Sequence, residues 1–309
     1  MTFKRSALTE HFLTDLVEEA KQLLGQGKTA DYIPALAAID PNQIGIAVCF
    51  NDGDIVQAGA AQTPFSIQSI SKLFTLVQAL KLYQDELWQG IGREPSGHRF
   101  NSMVQLETDH GVPRNPFINA GALAICDRLQ SRLSAPTFQL LELLRKLADN
   151  PALHANNQVA RSELAHGSRN AAMAYLMKAF GNFSNPVEQV LHSYCHHCAI
   201  EMSCVDLAKA SVFLANKGIS FSGEAILSAD QTTRINALMA TCGLYDASGE
   251  FAYEVGLPGK SGVGGGIVAV YPGHFSVCAW SPELNPVGNS LISTWLLEQL
   301  TDRLEVSIY

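Results

Sequence analysis

Long apolar runs are missing from this chain, and so are runs of positive charge. No apolar stretch approaches the roughly 20 residues needed to span a bilayer, which argues against a helical membrane protein. Lysine and arginine number 21 against 29 acidic residues, a formal net charge of −8. With no basic cluster, the chain lacks the electrostatic footprint of a nucleic-acid binder. Charged residues make up only 16% and apolar residues 47%, an ordinary balance for a globular protein and a poor one for disorder. Residues 1–25 lack the uninterrupted apolar stretch of a signal peptide, because Asp15, Glu18 and Glu19 interrupt it. A cytoplasmic protein is expected. No internal repeat, low-complexity segment or linker breaks the 309 residues.

Cysteine is also uninformative as a framework. Seven residues make an odd set without small-scaffold spacing, and several lie inside apolar runs such as residues 44–50. Reduced thiols packed as small hydrophobes fit this better than disulfides. The local cluster His192-Ser193-Tyr194-Cys195-His196-His197-Cys198 has no second, distant ligand pair to complete a zinc site, so helix packing is expected there and no metal.

What is present begins at Ser69 and Lys72. Leu73, Leu76, Val77 and Leu80 recur at helical spacing, so a helix is expected to start near Ser69. Ser69 and Lys72 then stand one turn apart on one face. A buried lysine could accept the serine proton, and the helix N-terminus would favour an oxyanion. The same pattern also describes a capped core helix whose lysine reaches solvent.

Around this stretch the periodicity is clear. A helical stripe runs from Leu13 to Leu24, and Pro34 disfavours helix for Ile33. Residues 43–50 read as a buried strand that turns at Asn51-Asp52-Gly53 and returns through Ile55-Val56-Gln57-Ala58. Helical spacing dominates from 73 to 215, with a further helix at 229–240. Residues 251–255, 266–271 and 275–280 then read as three strands, and a helix over 290–303 closes the chain. The expected fold is α+β: a five-stranded antiparallel sheet flanked by the terminal helices, with an inserted helical lobe. Residues 1–72 and 241–309 would form the sheet lobe and 73–240 the helical lobe, with a site in the cleft between them.

Gly259-Lys260-Ser261-Gly262-Val263-Gly264-Gly265-Gly266 resembles the end of a phosphate-binding loop. It lacks the required glycine at 254 and precedes a strand, so neither ATP nor NAD is expected. A strand edge where glycines let backbone N–H groups approach a substrate is the better account. Ser-x-x-Lys opening a helix after two strands, with Lys-Ser-Gly on a late strand, is the order of the serine β-lactamase and transpeptidase architecture. No Gly-x-Ser-x-Gly elbow occurs, which disfavours an α/β-hydrolase.

The match is closer than fold level. Asp31-Tyr32-Ile33-Pro34, residues 65–72, Pro113 to Ala122 and Lys260 to Gly266 resemble the signature blocks of the β-lactamase-like glutaminases, from about residue 7 to the C-terminus. The resemblance is to the compact bacterial form. It implies hydrolysis of L-glutamine to L-glutamate and ammonia without metal or organic cofactor, in a dimer or tetramer. Ser69 is implied as nucleophile, Lys72 as its base and Tyr245 as a proton-transfer partner. The N–H groups of Ser69 and Val263 are the implied oxyanion hole, and Tyr32, Asn119, Glu163, Asn170 and Tyr194 the implied substrate contacts. Glu163 and Asn170 lie seven apart, two turns along one face if a single helix holds both. Ser168-Arg169-Asn170 has the form of the β-lactamase Ser-x-Asn motif, but the resemblance gives Ser168 no proton-transfer role. Lys260 is expected to support the site electrostatically. A β-lactamase-like esterase or peptidase, or a non-catalytic amino-acid-binding domain of the same fold, are the alternatives.

Overall fold

A computed structural model describes residues 3–97 and 102–309 of the chain. Helix α1 (Glu10–Ala20) buries Leu13, Leu16, Val17 and Ala20, and Thr9 caps it by accepting from the Phe12 N–H. Ile33 is extended, as a residue before proline should be, and Pro34 starts the one-turn helix α2 (Pro34–Ala37). Strands β1 (Gly45–Phe50) and β2 (Ile55–Gly59) form the expected hairpin. After β3 (Phe65–Ser66) come α3 (Ser71–Tyr83), α4 (Met103–Thr108), α5 (Asn119–Arg132) and α6 (Pro136–Ala148). They are followed by β4 (His154–Ala155), α7 (Asn157–Ala165), α8 (Ser168–Ala179), α9 (Val187–Cys198), β5 (Ile200–Met202) and α10 (Cys204–Ala215). Helices α11 (Ala229–Cys242) and α12 (Ser248–Glu254), strands β6 (Gly259–Ser261), β7 (Gly266–Tyr271) and β8 (Phe275–Trp280), and helix α13 (Leu291–Leu304) complete the chain.

The sheet is five-stranded and antiparallel in the order β2-β1-β8-β7-β6, so the first strand pairs with the last. Its two faces carry different side chains. Ile46, Val48, Phe50, Ile267, Phe275 and Val277 face α1 and α13 in one apolar cluster. Each such buried side chain contributes about 1.5–3 kcal/mol. The opposite face carries Ala47, Cys49 and Cys278, with Ser276 bonding the Ala208 carbonyl of α10. These small side chains let α10 lie close on the sheet, and its other side joins the core of the helical block.

Two expectations are corrected here. Residues 251–255 are not a strand but the second half of α12 and its C-cap, Val255. Phe251 and Val255, one turn apart, are buried on one side, while Tyr253 between them is 83% exposed. An i, i+2, i+4 set of hydrophobes fits both periods when it is this short. The fifth strand is Gly259–Ser261 instead. Glu163 and Asn170 do not share a helix, because the chain breaks at His166-Gly167 between α7 and α8. A small second sheet, in the order β3-β5-β4, was too short to read from alternation.

The cysteine–histidine stretch lies on α9. The His192 and His196 rings lie 4.1 Å apart, tilted by 31°, while His197 turns inward to the Cys126 thiol at 3.6 Å. Among the described residues no three His, Cys, Asp or Glu side chains converge as metal ligands, and no helix is long and apolar enough to cross a membrane.

Candidate active site

Ser69 lies in a single 3-10 turn, Gln68–Ile70, that leads into α3 at Ser71. Gln68 has a left-handed φ of +50°, a conformation that costs a non-glycine residue about 1–3 kcal/mol. The kink puts Ser69 at the floor of a cavity of about 290 Å³. Tyr32, Asn119, Glu163, Asn170, Tyr194, Tyr245 and Val263 line the same cavity. Lys72 does not line it. It lies beneath, 2% exposed, and donates to the Asn119 Oδ1 at 2.6 Å and the Phe117 carbonyl at 3.2 Å. Among the described residues it has no ion-pair partner. Burial pulls its pKa down from 10.5 to about 8, against the weaker attraction of surrounding anionic groups such as Glu163.

Asn119 is the first residue of α5; Ile118 holds the cap position, and Asn115 accepts from the Phe117 and Ile118 N–H groups. With its oxygen on Lys72, Asn119 donates its Nδ2 to the Asn170 Oδ1 at 3.0 Å. That leaves the Asn170 amino group to donate into the cavity. Glu163 accepts from the Tyr32 hydroxyl at 3.0 Å. Desolvation raises the Glu163 pKa, and hydrogen bonds from Tyr32 and Gln68 oppose it. The result is a carboxylate shielded from water that lacks a cationic partner in contact.

Tyr245 also has a left-handed φ, +54°, which turns its ring over the cavity. Its hydroxyl lies against Ser69 and Ser261; burial raises its pKa to about 12 while these two hydrogen bonds oppose the rise. Beneath the ring, 4.9 Å from its centroid, is the ammonium of Lys260, fully buried between the carbonyls of Gly243 (3.0 Å) and Ser261 (2.7 Å). Desolvation, then the charge of Lys72, lowers the Lys260 pKa well below that of a free lysine.

The glycine-rich turn between β6 and β7 comes down on the Ser69 backbone. A Cβ on Gly262 would stand 2.4 Å from the Ile67 carbonyl and 3.3 Å from the Ser69 nitrogen, and one on Gly264 2.1 Å from the Ser66 carbonyl. Only bare backbone fits there. The Val263 N–H, at the tip, makes no hydrogen bond among the described residues. Gly262→Ala would push the turn away from Ser69, and a displacement of about 1 Å in a reacting geometry costs on the order of 10²-fold in rate. We expect kcat to fall by about that factor while the unfolding midpoint drops only modestly, as steady-state kinetics beside thermal melts would show.

A family model described as Glutaminase matches residues 27–309. A glutaminase from Marinomonas sp. (strain MWYL1) is 59% identical over 301 residues, which cover 97% of this chain and 99% of that one. The chain belongs to the glutaminase family. It is accordingly an amidohydrolase. Two solved structures give the fold: a probable glutaminase of Bacillus subtilis, 32% identical with a TM-score of 0.90 over 97% of each chain, and Mglu in its glutamate form, also 32% identical with a TM-score of 0.90 over 97% of this chain and 69% of that one.

The glutaminase cavity thus gathers every implied catalytic or substrate-contacting residue except Lys72, which is reached through Asn119, while Lys260 lies outside the lining beneath the Tyr245 ring. Gln68, His166, Arg169 and Cys198 also line it and were not anticipated. Gln68 had a signal, since it adjoins Ser69 in the same block. Cys198 had none: its thiol faces the Tyr194 hydroxyl and Ser71, which a helical stripe does not reveal.

Proposed function

We propose that this protein hydrolyses L-glutamine to L-glutamate and ammonia through a glutamyl ester on Ser69. The observation that carries the reading is a buried lysine with a lowered pKa one turn from a serine on the floor of an amino-acid-sized cavity. In its neutral form Lys72 takes the proton as the Ser69 Oγ attacks the δ-carbonyl carbon. The oxyanion formed is met by the N–H groups of Ser69 and Val263. The proton passes to the leaving nitrogen, with Tyr245 assisting, and the C–N bond breaks to free ammonia. Water then adds to the ester by the same route and releases glutamate.

Binding follows from the charges that line the cavity. Glu163, shielded and bonded to Tyr32, suits the α-ammonium, while Asn170, Asn119 and Tyr194 offer polar contacts to the rest of the substrate. The reaction would take place where the sheet-bearing residues 1–72 and 241–309 meet the helical block 73–240. The family resemblance also supports a homo-oligomer, dimer or tetramer, in the cytoplasm.

Ammonia release from L-glutamine and L-asparagine, measured beside hydrolysis of a β-lactam and of a simple ester, tests the reading. Rapid turnover of glutamine alone, with a glutamyl adduct on the Ser69 peptide after acid quench, is the expected result. Hydrolysis of the β-lactam or the ester in preference to glutamine would favour the esterase or peptidase alternative, and tight glutamine binding without ammonia release would favour a binding domain.

A further inference from the structure

An amino acid carries two charges, and the inner wall of the cavity holds an opposite charge for only one of them. Glu163 suits the ammonium. A carboxylate moved from water into a partly enclosed site needs a compensating cation or several donors. Lys72 lies beneath the cavity and must be neutral to act as base, and Lys260 is enclosed between two carbonyls outside the lining. The permanent cation on the cavity wall is Arg169.

Arg169 sits in the first turn of α8, directly before Asn170, at the break that separates α7 from α8. That break brings Glu163 of α7, His166 of the break itself and Arg169 of α8 to the lining of one cavity. Arg169 is exposed and, among the described residues, makes no hydrogen bond, ion pair or ring contact. Most other arginines in the described chain are engaged, as Arg5 is with Asp52, Arg114 with Asp109, Arg145 with Glu142 and Arg303 with Glu19. A guanidinium left free at the mouth of a cavity whose inner wall is a carboxylate is placed to accept the opposite end of a zwitterion.

We propose that Arg169 is the specificity-determining residue that selects substrates with a free α-carboxylate. This rests on the reading of the cavity as a glutamine site. Glu163 holds the α-ammonium from inside and Arg169 holds the α-carboxylate from the rim. Together they fix the α-carbon, so that the side-chain amide extends toward Ser69. Arg169 touches no reacting atom, so its loss acts on binding and leaves the chemical step alone.

The test compares L-glutamine with L-glutamine α-amide, which keeps the ammonium and replaces the carboxylate with a neutral group. In Arg169→Gln, kcat/KM for glutamine is expected to fall about 10-fold, nearly all in KM, because a single partly solvated charge-assisted contact is lost. The α-amide is expected to change less than 2-fold. If its turnover is too slow to follow, its Ki against glutamine supplies the same comparison. Arg169→Lys should recover part of the loss. Equal losses for both compounds, or no loss for glutamine, would overturn the assignment. Glu163→Gln separates this from the underlying reading, since both compounds carry the ammonium and both should weaken. If neither does, the placement of the ammonium is wrong, whatever Arg169 shows.

Discussion

Replacing Ser69 with alanine should reduce ammonia release from glutamine to background, a loss of at least about 10⁴-fold, because the proposed nucleophile has no substitute in the cavity. Gln68, Tyr245 and Cys198 line the same wall, but Gln68 cannot form an ester, burial raises the Tyr245 phenol to about 12 and burial raises the Cys198 thiol likewise to about 12. The fold should be almost untouched. Ser69 is 9% exposed and its hydroxyl faces Tyr245, so alanine removes one hydrogen bond worth about 1 kcal/mol and leaves no large void. Thermal melts within a few degrees of wild type, together with calorimetric binding of glutamine, would separate loss of chemistry from loss of structure. Retention of more than a hundredth of the activity would rule out the covalent route.

Lys72→Met should lose about 10²–10⁴-fold in kcat, the range for removal of a positioned general base. Its effect on stability should run the other way. Lys72 titrates near 8 when folded against 10.5 for a free lysine, so between those values the unfolded chain binds more protons and stability rises with pH. Below pH 8 the buried charge destabilises the fold by up to about 3 kcal/mol, which methionine avoids. The hydrogen bonds to Phe117 and Asn119 are lost in exchange and offset part of this. Denaturant unfolding at pH 7 and pH 10 should therefore show Lys72→Met gaining on wild type at pH 7 and losing that advantage as the pH rises. The activity of wild type should climb with pH through an apparent pKa near 8. Lys260, whose pKa is lowered by burial and then by the charge of Lys72, lies outside the cavity lining. A flat profile from pH 6 to 9, or a variant of near-normal rate, would remove Lys72 as the base.

Most of the sheet was readable because its strands announce themselves locally. Residues 45–50 and 275–280 are continuous apolar runs bounded by turn residues, as strands covered on both faces must be. The edge strand was not, since Gly259-Lys260-Ser261 carries neither alternation nor bulk, while Phe251, Tyr253 and Val255 imitate a strand inside a helix. In the site, Ser69 and Lys72 were visible through a spacing that needs only a helix to be meaningful. The other partners are joined by tertiary placement alone. Nothing local links Asn119 to Asn170, or Tyr32 to Glu163, and both pairs came only through resemblance. Arg169 was noticed merely as the middle of a motif. Its significance depends on the helix break at Gly167, which helical spacing concealed.

The pairing of the first strand with the last has a consequence for biosynthesis. Ser69 and Lys72 leave the ribosome well before the glycine turn that faces them and the strand that anchors it. Closing so long a loop is slow and must await both ends. On the proposed mechanism, a nascent chain would carry Ser69 without its oxyanion site until residues 259–280 have emerged, and activity would appear only then.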